Sequence, residues 1–404
     1  MVRRERAQVL AHLVRLLRDV DAAEEVWADA VATAHEVWSR DGAPERPGAW
    51  LQTTAKNRAL DVLRRENRVS DVHDQLAQQA DATVAARDEG ELFPDDRLRL
   101  IFTCCHPELP FEAQVALTLR LVCGLGTAEV ARAFLIPETT LQQRIVRAKR
   151  LIADRALPYE VPEPEALAAR LGAVLRVVHQ VFNEGYAATS GDALTRVDLC
   201  DEALRLGELV VTLLPKAPEA RGLFALMLLH ASRAKARVDA SGALVLLEDQ
   251  DRSAWDQTLA AAGLAQLERA ERFGAPGPFQ LQAHIAACHA RAARFEDTDW
   301  KRIVALYTAL EVLAPSPVIT LNRAVAVAMA DGPEAGLALL ERSAAVAALR
   351  DYHLLPATRA DLLRRLGRTE EAAAEYQRAL ALVANAREKE FLERRLAALN
   401  VRRH

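Results

Sequence analysis

Two short stretches of this chain set nucleic-acid chemistry at helical spacing. In ETTLQQRIVRAKRLI, Thr139, Gln143, Arg147 and Arg150 fall on one side of a helix, with Thr140 and Arg144 beside them. Leu141, Ile145, Ala148 and Ile152 fall on the other side. Glutamine and arginine can make bidentate contacts to base edges, while lysine and arginine neutralise phosphate. In PGAWLQTTAKNRALDVLRRENR, Leu51, Ala55, Ala59, Val62 and Leu63 form an apolar side. A second side carries Asn57, Asp61, Arg64 and Arg68, flanked by Lys56, Arg58 and Arg65. These cations stand on one helix of a chain whose formal net charge is -4, which points to a polyanionic partner. The alternative for the first of these helices is a helical hairpin with a plain solvated basic face. Asp61 can orient an arginine at i+3 or i+4, or simply make an intrahelical ion pair. Trp50 reads as a packing residue.

Such faces need elements to aim them. Thr127 is a candidate N-cap for a short helix over 128–134, the LIP tripeptide makes a turn, and a second helix runs from Glu138 to Ile152. Ala131 is small where the two helices cross. This is the pattern of a helix-turn-helix, whose second helix fits the major groove. Upstream, helices are expected over 3–17 and 23–38, then a Gly-Pro loop, then the basic helix opening near Pro47. Residues 69–96 carry eight acidic residues against one arginine, Arg87, and read as a linker. A second helical block covers 97–158, and nearly 250 residues of helical pattern follow Pro158, Pro162 and Pro164. Near the C-terminus, Ala360, Gly367, Ala372, Tyr376 and Ala379 have tetratricopeptide (TPR) spacing, and Ala324 and Gly332 repeat the pattern upstream.

The 404 residues are 51% apolar and 27% charged but only 5% aromatic, which favours helices over sheets. No stretch approaches the roughly 18 apolar residues of a membrane span. The charged N-terminus lacks a signal-peptide core, and five scattered cysteines make a disulfide framework a poor fit. A cytoplasmic location is expected, with no membrane partner. The adjacent Cys104 and Cys105 with His106 are poor zinc ligands and read as buried. His284 and His289 stand five apart, off a single helical face. Glu248–Asp251 reads as a charged helix start. FNEGY, in the stretch from Phe182 to Gly191, reads as a helix terminus with a turn over 183–185. Nothing combines a nucleophile, a base and an oxyanion site, so no enzyme activity, catalytic residue, metal or cofactor is expected.

Read in order, AEEVWADAVATAHEVW, AWLQTTAKNRALDVLRRE and TAEVARAFLIPETTLQQRIVRAKRLI resemble regions 2.2, 2.3–2.4 and 4.2 of an extracytoplasmic-function (ECF) sigma factor of the sigma-70 family. DDRLRLIFTCCHPELP, FNEGYAATSG, LLEDQDRSAWD and SPVITLNRAVAVA resemble a subgroup with a long TPR-like C-terminal extension. The resemblance implies an all-α protein with two small helical sigma domains. Region 2 would cover 1–71, an acidic linker 72–96, a region 4 helix-turn-helix 97–158 and the TPR-like extension 159–404. It implies core RNA polymerase and promoter DNA as partners. Glu24, Glu25 and Asp29 would contact polymerase, although Ala28 and Val31 depart from the glutamine and aromatic common there. Lys56, Asn57, Arg58, Asp61, Arg64 and Arg65 would serve the −10 element. Thr139, Thr140, Gln143, Arg144, Arg147 and Arg150 would serve the −35 element. From the residues alone the linker is a solvated tether, to which the resemblance adds a path through polymerase channels. Covalent fusion, which raises effective concentration, suggests that the extension docks on the sigma domains; the alternative is a protein regulator. The competing expectation is a conventional helix-turn-helix repressor or activator with a TPR-like sensor.

Overall fold

The computed structural model describes residues 2–69, 94–134, 136–186, 196–239 and 243–401. Most of the expected acidic linker, and the last residues of the Phe182–Gly191 stretch, lie outside them. The protein is all-α, with one isolated β-bridge between Val238 and Leu244 among the described residues. It divides into two compact units, Met1–Gln180 and Val181–His404.

The first unit opens with α1 (Val2–Leu17), α2 (Val20–Asp41) and α3 (Pro47–Val69), each packed on the other two. Asp19 caps α2 by accepting from the Ala22 N–H at 2.9 Å, and Gly42, at φ 84, ends it where a side chain would be strained. Leu10, Leu13, Trp27, Leu51, Ala55 and Ala59 are buried between the three helices. Leu10 and Leu13 on α1, Ala23, Trp27, Ala30 and Ala34 on α2, and Leu51, Ala55 and Ala59 on α3 recur three or four positions apart, the spacing that puts one stripe inward. Val62 and Leu63, expected on the same stripe, are only half-buried. Trp50 meets Trp38 edge-on at 5.5 Å between ring centroids, so its expected packing role has a visible partner.

The next helix, α4 (Pro94–Cys104), packs on α1. Asp96, counted above with the acidic linker, lies in the first turn of this helix and is buried. Its carboxylate meets Arg15 at 3.1 Å and Arg99 at 2.7 Å, with His12 at 3.6 Å. The Tyr159 hydroxyl donates to the carbonyls of Ala11 and Asp96, tying α1, α4 and the chain beyond 158 together. Next come α5 (Phe111–Leu117), a π-helical turn Thr118–Val122, α6 (Thr127–Ala133), α7 (Glu138–Asp154) and α8 (Pro164–Tyr186). The N-cap of α6 is Gly126, not the expected Thr127, because the Glu129 carboxylate reaches back to accept the Gly126 N–H at 2.5 Å. Thr127 is therefore the first helical residue.

The second unit contains α9 (Val197–Leu213), α10 (Pro218–Ser232), α11 (Gln257–Glu271), α12 (Pro278–Arg291), α13 (Trp300–Leu313), α14 (Pro317–Asp331), α15 (Pro333–Arg342), α16 (Leu354–Arg365), α17 (Thr369–Leu382) and α18 (Ala386–Val401). Nearly every helix packs on its sequence neighbour. The α14–α15 and α16–α17 pairs turn at Gly332 and Gly367, both with positive φ. Ala324, Ala360, Ala372, Tyr376 and Ala379, the expected repeat residues, are all buried in one cluster. In FNEGY the expected turn is absent: Asn183 to Gly185 are helical. Gly185 is required by close approach, since a Cβ there would lie 2.6 Å from the Cys200 backbone nitrogen.

Candidate nucleic-acid interface

The apolar stripe of α7 decides where its cations point. Leu141, Ile145 and Ala148 are buried, while Ile152 is half-buried. Thr139, Thr140, Gln143, Arg147 and Arg150 are exposed, and Arg144 is half-exposed. Arg150 makes a loose exposed pair with Asp154 at 3.4 Å. Thr140, Gln143, Arg144 and Arg147 line one side of a cleft of about 300 Å³ against Pro110 and Glu112. The helix thus offers amide, hydroxyl and guanidinium groups along one open face, which suits base edges and phosphates.

Lys149 departs from that face. It follows the buried Ala148, and its side chain is 11% exposed. Its Nζ lies 2.6 Å from both Asp21 and Glu24 of α2. Burial alone would lower the Lys149 pKa, but the two carboxylates outweigh it and hold the pKa above its ordinary value. Glu24 also receives Arg6 at 2.6 Å and Arg120 at 3.3 Å. Burial, then the nearby Arg120, lowers the Arg6 pKa against the pull of Glu24. One carboxylate therefore gathers three cations from α1, the π turn and α7.

On α3 the cations divide. Asn57, Asp61, Arg64 and Arg65 are exposed, and Lys56 is half-buried. Arg64 meets Asp61 at 3.3 Å, so the expected ion pair forms. Arg58 instead turns to α2, where it meets Asp29 at 2.9 Å and donates to the Thr33 hydroxyl at 2.6 Å. Of the acidic residues expected to face polymerase, Glu25 stays open, Asp29 shares its charge with Arg58, and Glu24 is 16% exposed. Arg58 and Glu24 thus hold helices together in this structure, because each lies within reach of an opposite charge on a packed neighbour. Sequence reasoning passed over Asp21, Arg120 and Lys149. A signal was present for Lys149: it stands eight residues after Leu141, on the flank of the buried stripe.

Among the described residues no three His, Cys, Asp or Glu side chains cluster as a metal would need. Cys104 and Cys105 are buried; burial pushes the Cys105 thiol up to about 12 and Cys104 well above its ordinary value. No described helix is long and apolar enough to cross a membrane.

Residues 1–69 match sigma-70 region 2, and residues 99–152 match sigma-70 region 4. The chain belongs to the sigma-70 family. The basic helix α3 closes the region 2 match, and the helix-turn-helix of α6 and α7 lies inside the region 4 match. Residues 170–271 of this sigma-70 family member match DUF6596, a family of unknown function. The chain is 45% identical over 400 residues to an uncharacterized protein of Rhizobium meliloti, covering 97% of this chain and 93% of that protein. It is 31% identical over 116 residues to the ECF RNA polymerase sigma-E factor of Haemophilus influenzae, covering 27% of this chain and 61% of that factor. No solved structure matches the chain.

Proposed function

We propose that this sigma-70 family protein is an ECF-type promoter-specificity subunit. It recruits core RNA polymerase, reads a −35 element with the outer face of α7, and helps open a −10 element with the outer face of α3. The observation that carries the reading is the pair of open polar faces, one in each sigma region, with Arg147 on α7 and Asn57, Arg64 and Arg65 on α3. Unstacking a base costs a few kcal/mol, and a pocket that holds the flipped base offsets that cost. Asn57 supplies a donor and an acceptor for a base edge. Arg64 and Arg65 follow the backbone with salt-dependent affinity. Of Glu24, Glu25 and Asp29, the open Glu25 is the one free of a cross-helix ion pair among the described residues and suits a basic polymerase surface. The function needs no bond chemistry by this chain.

The second unit modulates this activity as a TPR-like module. Its support is the run of packed helix pairs with glycine turns, an architecture that presents surfaces to protein ligands. Covalent fusion gives it a high effective concentration at the sigma domains.

Run-off transcription with bacterial core RNA polymerase, on fragments of the source genome, tests the reading. Specific starts that disappear in both Arg64→Ala/Arg65→Ala and Arg147→Ala chains support a sigma factor. Tight binding to palindromic duplex by the protein alone, with no recruitment of core enzyme, would instead show a conventional repressor or activator. Unchanged starts from a chain ending at Gln180 would sink the modulating role of the second unit.

A further inference from the structure

A largely apolar cavity of the second unit, about 260 Å³, lies beside a stretch with almost no regular structure. Its helical walls include Val325 and Met329 of α14, Leu354 of α16 and Phe391 of α18. Val325 is 37% and Leu354 40% exposed. The remaining wall is not helical. Leu244 and Leu246, from the link between α10 and α11, lie along it. Just beyond them Glu248 sets its carboxylate between Arg365 of α16, at 3.3 Å, and Arg395 of α18, at 3.8 Å. Glu248 stands in a turn, not at the expected helix start, and arginines of the same chain take its carboxylate; only Asp251, at the end of EDQD, caps a helical turn, Arg252–Ala254.

Both arginines have other anchors on their own helices. Arg365 meets Asp361 at 2.7 Å and donates to the Met329 sulfur at 3.0 Å. The Arg395 guanidinium stands 5.3 Å from the centre of the Phe391 ring. The two cations are therefore aimed across the groove by residues that do not include Glu248. Backbone support for the inserted segment comes from its far side, where the Val245 N–H donates to the Arg237 carbonyl at 2.8 Å and Val238 bridges Leu244. On the groove side the contacts are side chains alone: two half-buried leucines, one carboxylate and unfilled apolar space.

We propose that this groove is a docking site for a segment of a partner protein that carries two apolar side chains and then turns to present a carboxylate, and that residues 244–248, with their turn at 247–249, occupy it as an internal stand-in. The chemistry of the occupant is read from what sits there. Apolar side chains bury against α14, α16 and α18, and a carboxylate enters between Arg365 and Arg395, both of which can donate charge-assisted hydrogen bonds. The unfilled volume lets a partner seat a larger side chain than leucine. The internal segment competes at the high effective concentration of a tethered ligand, so a partner gains access only in the fraction of molecules whose segment has left. This inference does not rest on the promoter reading.

The probe is a fluorescein-labelled synthetic peptide of residues 243–251, ALVLLEDQD, titrated with the full chain and followed by anisotropy. The Leu246→Ala/Glu248→Gln chain, with its own segment loosened, is expected to bind the peptide at least about ten-fold more tightly than the unaltered chain. Adding Arg365→Ala and Arg395→Ala is expected to erase that gain, as is replacing the peptide's glutamate with glutamine. No gain in a loosened chain that keeps its helical circular dichroism, or a gain indifferent to the arginines, would overturn the proposal. A loosened chain that dimerises and excludes the peptide would assign the groove to a second copy and equally overturn it. Should the double variant lose helical signal, Glu248→Gln alone, which removes one charge and no volume, is read against the same outcomes with a smaller gain.

Discussion

The helices α3 and α7 carry similar chemistry and spend it differently. On α3 one arginine of the expected −10 set, Arg58, is drawn back to α2, and another, Arg64, is partly neutralised by Asp61 one turn earlier. On α7 the expected −35 residues Thr139, Gln143 and Arg147 stay on the open face, and the cation drawn inward, Lys149, is one outside that set. The difference follows from where each helix is crowded. Arg58 is three residues from Ala55 and one from Ala59, both fully buried, so its stem leaves the helix beside α2. Lys149 sits between Ala148 and the acidic turn of α2. A basic helix is therefore two populations of cations, and only one of them is free to meet a phosphate.

The largest expected effect breaks the comparison on the α7 side. Arg144→Ala/Arg147→Ala should remove two candidate base or phosphate contacts, each worth about 1–3 kcal/mol. Run-off starts should fall at least about thirty-fold, while the urea midpoint of the protein should hardly move. Lys149→Ala should do the reverse. It removes a cation shared by two carboxylates at 11% exposure and should cost about 2 kcal/mol of unfolding free energy. Sequence preference at the −35 element should be unaltered. The sign with pH is fixed: a lysine whose folded pKa is raised contributes stability that is whole below its ordinary 10.5 and is lost as pH rises through the folded value. The urea-midpoint gap between unaltered and Lys149→Ala chains should therefore be constant from neutral pH to about pH 10 and shrink above it. Arg58→Ala should cost about 0.5–1 kcal/mol, less because its partner Asp29 is 68% exposed.

The helices themselves were legible because their apolar residues repeat at three and four. Leu51, Ala55 and Ala59, then Leu141, Ile145 and Ala148, are buried as their spacing demanded. The repeat glycines Gly332 and Gly367 were legible for a different reason, since both hold φ values that side chains resist. What periodicity could not give was pairing across elements. Nothing local to Glu24 announces that Lys149, 125 positions on, will reach it. Asp96 looked like the last acid of a linker, and became a buried ligand of Arg15 and Arg99 only when α4 met α1. Glu248 looked like a helix start, and its arginines lie 117 positions away for the nearer one in sequence. The cap of α6 was misplaced by one residue because the Glu129 side chain reaches the Gly126 N–H.

The smallest expected effect is the one that best separates the two populations. Arg64 pairs with Asp61 on the open side of α3, with 58% and 62% of the two side chains exposed. Such a pair adds a few tenths of a kcal/mol at most, so Arg64→Ala should leave the unfolding curve where it was. Its mark should appear in salt dependence instead. If Arg64 neutralises one phosphate of the opened strand, the slope of log affinity against log salt for the polymerase–promoter complex should drop by about one. Arg58→Ala, with its cation held by Asp29 and Thr33, should leave that slope alone while shifting the unfolding midpoint. Equal slopes for both variants would erase the distinction drawn here between a cation that binds and a cation that braces.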